Sequence, residues 1–328
     1  MRTFIRLVLY VVLFLGLAGL FAYGYFVYTP RVEPPQLAGS YTQHQLTVGN
    51  LKRHFSAYVP SAIQPSSALV FVLHGSLRSG ESMRRSTGYR FDELAEQYGF
   101  VVIYPDGIEN HWNDCRGSAD YAANTLDVDD PSFFSAMINT AESQWNVDPS
   151  AIFVTGISNG GHMAYRLAME RPDEYLAIAA VAANLPQASN RDCLNTGQAI
   201  SVAVLNGTQD GVNPWHGGTV SLFGNTSRGE VLSTSNTMEY WLSLAFPDQV
   251  PLAETIEHPE YDQDLDTRVL ETRWSTPESQ HQFRLYTLEG SGHVFPMRDQ
   301  RFPRLLGESA GDISGPDQIV EFFLSHLE

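Results

Sequence analysis

Six consecutive residues constrain this chain more than any others. The apolar segment Ala151-Ile-Phe-Val-Thr155 runs without a break into Gly156-Ile157-Ser158-Asn159-Gly160-Gly161, and a helical pattern over Asn159–Glu170 follows until Pro172 stops it. A strand that turns this sharply into a helix needs glycine on both sides of the turn, because a side chain there would stand between the two elements. Ser158, at the apex, is forced into a strained backbone conformation. Its hydroxyl then projects above the sheet, at the positive end of the helix dipole. G-x-S-x-G arises often by chance, and the strand–turn–helix context gives it meaning. Without chemistry, the same residues would be a tight turn carrying an inert serine.

The rest of the chain supplies a frame for such a turn. Runs rich in β-branched and aromatic residues predict strands at Gln43–Val48, Arg53–Val59, Ala68–Leu73, Phe100–Tyr104, Ile200–Leu205, Thr267–Arg273 and Gln282–Leu288. Helical patterns lie at Arg90–Gln97, Pro131–Gln144, Ser233–Ala245 and Pro316–Leu327, with Asp130 as the expected N-cap and Pro131 at the first helical position. Strands alternating with helices imply an α/β fold, a mostly parallel sheet with helices on both faces. The acidic segment Asp248–Asp266 reads as a solvated surface loop, with an insertion bordering an active-site mouth as the alternative.

A serine is a poor nucleophile at neutral pH until a base takes its proton and an acid orients that base. In a strand–turn–helix setting of this kind the expected chain order is serine, carboxylate, histidine. Strand Ile200–Leu205 ends in Asn206-Gly-Thr-Gln-Asp210, and strand Gln282–Leu288 ends in Gly290-Ser-Gly-His293. Both side chains therefore sit just past the C-terminal end of a strand, the edge where open α/β sheets put their sites. Ser158, Asp210 and His293 are the candidate catalytic residues. A developing oxyanion needs backbone N–H donors. Asn159, which follows the serine, is one candidate. Strand Ala68–Leu73 ends in His74-Gly75-Ser76, so Ser76 is the other, with Leu77 as a near alternative. His74 reads as structural.

The competing residues offer less. His44, His54, His258, His281 and His326 read as surface residues, His162 as a local packing or hydrogen-bonding group, and His216 precedes no strand end. Asp127, Asp129 and Asp130 lack the spacing of a calcium loop and read as a helix cap with solvated charges. No metal-ligand pairing and no cofactor motif is expected. Trp112 and Trp215 are candidate substrate-facing aromatics, with burial in the core as the alternative.

The N-terminus carries an address. Arg2 and Arg6 precede the uncharged run Leu7–Tyr28, whose 22 residues reach about 33 Å as a helix, enough to cross a bilayer core. Tyr23, Tyr25 and Tyr28 suit the far interface, and the leading arginines place the body outside the cytoplasm. The expected organisation is a cytoplasmic end at 1–6, a transmembrane signal anchor at 7–28, a proline-bearing linker at 29–39 and a catalytic domain at 40–328. A cleaved signal peptide is the alternative. In an exported body, periplasmic or extracellular, Cys115 and Cys193 can persist as a disulfide or remain two buried thiols. Lys plus Arg is 20 against 37 Asp plus Glu, a net charge of −17 with no basic run. That argues against nucleic acid, and against anionic lipid on a basic face.

Five blocks in order resemble the secreted polyhydroxybutyrate depolymerase and feruloyl or acetyl-xylan esterase family. They are Val72-Leu-His-Gly75; Tyr104-Pro-Asp-Gly107 with Trp112-Asn-Asp114; Asp127–Asp130; Gly156-Ile-Ser-Asn-Gly160; and Asn206–Asp210 with Gly290–His293. The resemblance runs from about Val48 to the C-terminal helix. It implies an α/β-hydrolase fold, a triad of Ser158, Asp210 and His293, and a disulfide near the site, for which Cys115 and Cys193 are the only candidates. The chain departs from the family at Asp210-Gly211 and at His293-Val-Phe-Pro296, changes that alter the acyl pocket and no triad atom. Polymer-degrading relatives commonly add a linker and a polymer-binding domain. Their absence favours soluble or oligomeric esters, hydrolysed by a membrane-tethered serine esterase. An acyltransferase using the same triad, or a non-catalytic envelope binding protein on a hydrolase scaffold, are the alternatives.

Overall fold

The computed structural model describes residues 2–261, 266–276 and 279–327. Its strands in chain order are β1 (Ser40–Val48), β2 (Leu51–Val59), β3 (Ser67–Leu73), β4 (Val101–Pro105), β5 (Val147–Ile157), β6 (Ala177–Val181), β7 (Ser201–Gly207), β8 (Gly218–Thr219), β9 (Glu230–Val231), β10 (Leu252–Glu257), β11 (Arg268–Ser275) and β12 (Phe283–Glu289). Its helices are α1 (Arg2–Phe26), α2 (Gly80–Ser86), α3 (Arg90–Tyr98), α4 (Ala122–Thr125), α5 (Asp130–Trp145), α6 (Asn159–Glu170), α7 (Thr234–Ala245) and α8 (Gly315–Leu324).

Ten strands form one sheet in the order β1-β2-β4-β3-β5-β6-β7-β12-β11-β10. The run from β4 to β12 is parallel, and each edge is finished by antiparallel strands. This is the α/β-hydrolase architecture. The central strands are buried on both faces, so alternation sorts side chains between two cores instead of between core and water. Leu69, Phe71 and Leu73 of β3 face Phe134 of α5 and Leu167 of α6. Ala68, Val70 and Val72 face Leu94 of α3 and Phe323 of α8. From β3 the chain moves to β4 on one side and then to β5 on the other. The connections part there, leaving a crevice beyond the C-terminal ends of β3 and β5.

Three expectations are corrected. Strand β6 went unseen, because Ala-Ile-Ala-Ala-Val lacks the bulk that marks strands. Its small side chains are fully buried at the sheet centre, where helices approach from both sides. The segment Asp248–Asp266 is not wholly a loop, since β10 lies within it and pairs with β11 just beyond; residues 262–265 lie outside the described residues. The cap of α5 is Asp129, whose side chain accepts from the Ser132 N–H at 3.0 Å. Asp130 is neither cap nor solvated: fully buried, it binds Arg53 of β2 at 2.6 Å.

Helix α1 is apolar over Thr3–Phe26, is exposed along its length and touches the body only near its end, and is long enough to cross a bilayer. Signal sequences share this character. Cys115 and Cys193 are joined by a disulfide across 78 residues of chain, a bond that suits an extracytoplasmic location.

Candidate active site

The turn after β5 holds Ser158 at φ 56° and ψ −120°, a region side chains seldom enter. The bend is possible because Gly160 rides directly on β3, where a Cβ would lie 2.6 Å from the Leu73 carbonyl oxygen and 2.7 Å from that of His74. The Ser158 N–H is tied to Val181 O of β6 at 2.8 Å, and its carbonyl accepts from the His162 N–H at 2.9 Å. Backbone bonds thus fix the turn and leave the hydroxyl for the pocket.

Asp210 follows β7 and His293 follows β12, neighbouring parallel strands, so the two loops emerge side by side. Asp210 Oδ1 accepts from the N–H groups of Val212 and Asn213, each at 2.8 Å. Its Oδ2 accepts from His293 Nδ1 at 2.7 Å. A carboxylate can only accept, so Nδ1 carries the hydrogen and Nε2 presents its lone pair. The His293 main-chain N–H donates to Leu306 O at 2.6 Å, which seats the loop. Ser158 and His293 line one pocket of about 280 Å³ with Gly75 and Ser76.

The loop after β3 approaches the serine closely. A Cβ on Gly75 would stand 3.4 Å from that of Ser158. The Leu77 N–H is already donated to Asn110 O at 3.0 Å. Ser76 lines the pocket from the same loop. Asn159 opens α6, where a helix N–H has no partner within the helix. His74 is fully buried and neutral: Nε2 accepts from the Gly107 N–H at 2.9 Å, Nδ1 donates to Gly75 O at 2.8 Å, and burial drops its pKa to about 4. His162 is buried too, and burial drops it to about 3. Both rings are neutral at neutral pH, and neither lines the pocket that holds Ser158 and His293.

Trp112 is not substrate-facing. It is wholly buried, its indole N–H donates to His74 O at 3.0 Å, and its ring lies 5.6 Å from that of Phe134. Its backbone grips Asn159: Trp112 N–H donates to Asn159 Oδ1 at 2.8 Å, and Asn159 Nδ2 returns a bond to Trp112 O at 3.1 Å. Trp215 is half-buried against the core and does not line the pocket. The Asn159 amide also binds Asp114, which holds Arg116 at 2.6 Å. Burial alone would raise the Asp114 carboxyl, but the Arg116 guanidinium overrides it and holds the pKa at about 2. The disulfide joins the residue between them, Cys115, to the 190–193 loop.

The side chains that shape the pocket were not legible in the sequence. Met83, Leu222, Phe223, Val294, Phe302 and Leu306 come from four separate segments. Only Val294, next to His293, lay near a recognised motif.

Residues 54–189 match the family model described as Esterase PHB depolymerase. NocK of Nocardia uniformis subsp. tsuyamanensis, a protein bearing an esterase name, is 27% identical over 90% of this chain and 86% of its own. Feruloyl esterase B of Neurospora crassa is 36% identical over 38% of this chain and 41% of its own. The poly(3-hydroxybutyrate) depolymerase of Ralstonia pickettii is 28% identical over 57% and 40%. This chain thus spans less than half the length of these last two relatives. The structure of an acetyl xylan esterase from Aspergillus awamori superposes with a TM-score of 0.54 at 18% identity, covering 86% of this chain and 98% of that one. The matched segment runs from β2 through the Ser158 turn to the loop beyond β6, so the part of the chain that carries the turn is similar to the Esterase PHB depolymerase family.

Proposed function

We propose that this protein is an extracytoplasmic, membrane-tethered serine esterase acting on small or oligomeric esters through Ser158, His293 and Asp210. The observation that carries the reading is one pocket lined by Ser158 and His293, with His293 Nδ1 bound to Asp210 at 2.7 Å. His293 Nε2 takes the Ser158 proton as Oγ attacks the acyl carbon. The carbonyl oxygen becomes an oxyanion, stabilised by the N–H groups of Ser76 and Asn159. The intermediate collapses, the acyl–oxygen bond to the alcohol breaks, and His293 gives the alcohol its proton. Water then loses a proton to His293 and attacks the acyl-enzyme, and Ser158 regains its proton as the acid leaves. Asp210 holds the imidazole tautomer and stabilises the imidazolium throughout.

The relatives' names include feruloyl esters, acetylxylan and poly(3-hydroxybutyrate), so the acyl group is the open variable. The test is hydrolysis of p-nitrophenyl esters from acetate to octanoate, beside methyl ferulate, by the full chain and by Ser158→Ala. Wild-type turnover with a loss of at least about 10³-fold in the variant is expected. Equal hydrolysis by both would overturn the assignment of Ser158.

A further inference from the structure

No basic run exists in the sequence, yet folding gathers exposed arginines beside the pocket. Arg31, Arg78, Arg85 and Arg301 line a cavity of about 320 Å³ whose wall, among the described residues, holds no acidic side chain. It shares Arg78, Ser82, Ser86, Phe302 and Pro303 with the Ser158 pocket, so the two open side by side. Its opposite wall is Thr29–Val32, the stretch that follows α1. The end of α1 rests on the same edge, with the Arg304 guanidinium 4.3 Å above the Tyr25 ring. Acids lie close by: Glu81 is 3.9 Å from Arg85, and Asp299 and Glu308 line the adjoining depression. Even so, this edge is basic on a chain of net charge −17.

The rim is also apolar. Leu77 and Phe223 are 61% and 74% exposed, on backbone held at φ 63° and 51°, and Leu305 beside them is 59% exposed. Phe223 tips a tight turn closed by reciprocal bonds between Leu222 and Asn225 at 3.0 Å. Apolar tips backed by guanidinium groups suit the boundary between acyl chains and phosphate headgroups. The rest of the body, being acidic, is repelled by such a surface, which turns this edge toward it.

We propose that the mouth of the site docks on the anionic face of the bilayer that holds α1, and that the substrate is an amphiphilic acyl ester entering from that leaflet. This rests on the Ser158 esterase reading. The arginines would bind lipid phosphates, and the long part of the acyl chain would lie among Leu77, Phe223 and Leu305. Only the ester end need enter the pocket.

The test uses the full chain reconstituted in phosphatidylglycerol or phosphatidylcholine vesicles carrying p-nitrophenyl palmitate, with p-nitrophenyl acetate as the soluble control. Palmitate hydrolysis is expected to be about tenfold or more faster in phosphatidylglycerol. The combined variant Arg31→Gln, Arg85→Gln, Arg301→Gln should lose that advantage, as should wild type in high salt, with acetate hydrolysis unchanged. Equal palmitate rates in the two lipids, or an unaffected variant, would overturn the docking. Failure of wild type on acetate would strike the esterase reading instead. Phe223→Trp reads the docking without catalysis: brominated phosphatidylglycerol should quench it more than it quenches wild type, and equal quenching overturns the proposal.

Discussion

Asp114 shows how much of the site is held from behind. It touches neither the pocket nor Ser158, yet it binds Arg116, the Tyr121 hydroxyl at 3.0 Å and the Asn159 amide. Asp114→Asn leaves the Arg116 guanidinium buried without a counter-charge, so a loss of about 3–5 kcal/mol in urea unfolding is expected. The same pair makes stability depend on pH. The Asp114 carboxyl lies at about 2 when folded, below its ordinary 3.8. The unfolded chain therefore binds the proton first. Stability from this group is full above about pH 4 and drains away as pH falls toward 2. Unfolding curves across that window should flatten in Asp114→Asn. Such roles are hard to read from sequence. Trp112 read as a candidate aromatic for substrate and Asp130 as a cap, and both are buried struts. A residue's type is local, but its burial depends on chain far away.

At the scale of elements, two ties deserve measurement. Gly160→Ala drives a methyl group into the backbone of β3, where neither element can yield without moving the Ser158 turn. A loss of at least about 1–3 kcal/mol is expected, with a fall in ester turnover at temperatures where the fold persists. Rates equal to wild type would show that the strand–helix approach is looser than the structure has it. The disulfide closes a 78-residue loop between the segment gripping Asn159 and the chain after α6. Cys115→Ser with Cys193→Ser should cost about 2–5 kcal/mol, read as a lower Tm that wild type reproduces in reductant. The parallel strands and flanking helices were mostly legible, because a buried strand announces itself in a short apolar run. Strand β6 was not, since alanine follows tertiary demand for close packing over any preference of its own.

At the scale of the molecule, charge and hydrophobicity are distributed against their averages. The chain is strongly acidic, but its pocket opens on a basic edge next to the end of its apolar helix. If α1 remains attached as an anchor, the full chain should stay in the membrane fraction after alkaline carbonate washing. Release into the wash would point to cleavage after α1. What the sequence determined by itself was local in origin: glycines that permit one turn, apolar runs that make strands, a span long enough for a bilayer, and the order of Ser158, Asp210 and His293. Each depends on neighbours within a few residues, so each is written in the chain. Only the tertiary structure decided which loops meet. The join of His293 to Asp210 and the apolar wall drawn from four segments arise because the strand crossovers return distant loops to one edge of the sheet, and the stretch after α1 adds Arg31 to the arginines of that edge. That convergence is set by packing over the whole sheet, and no window of sequence contains it.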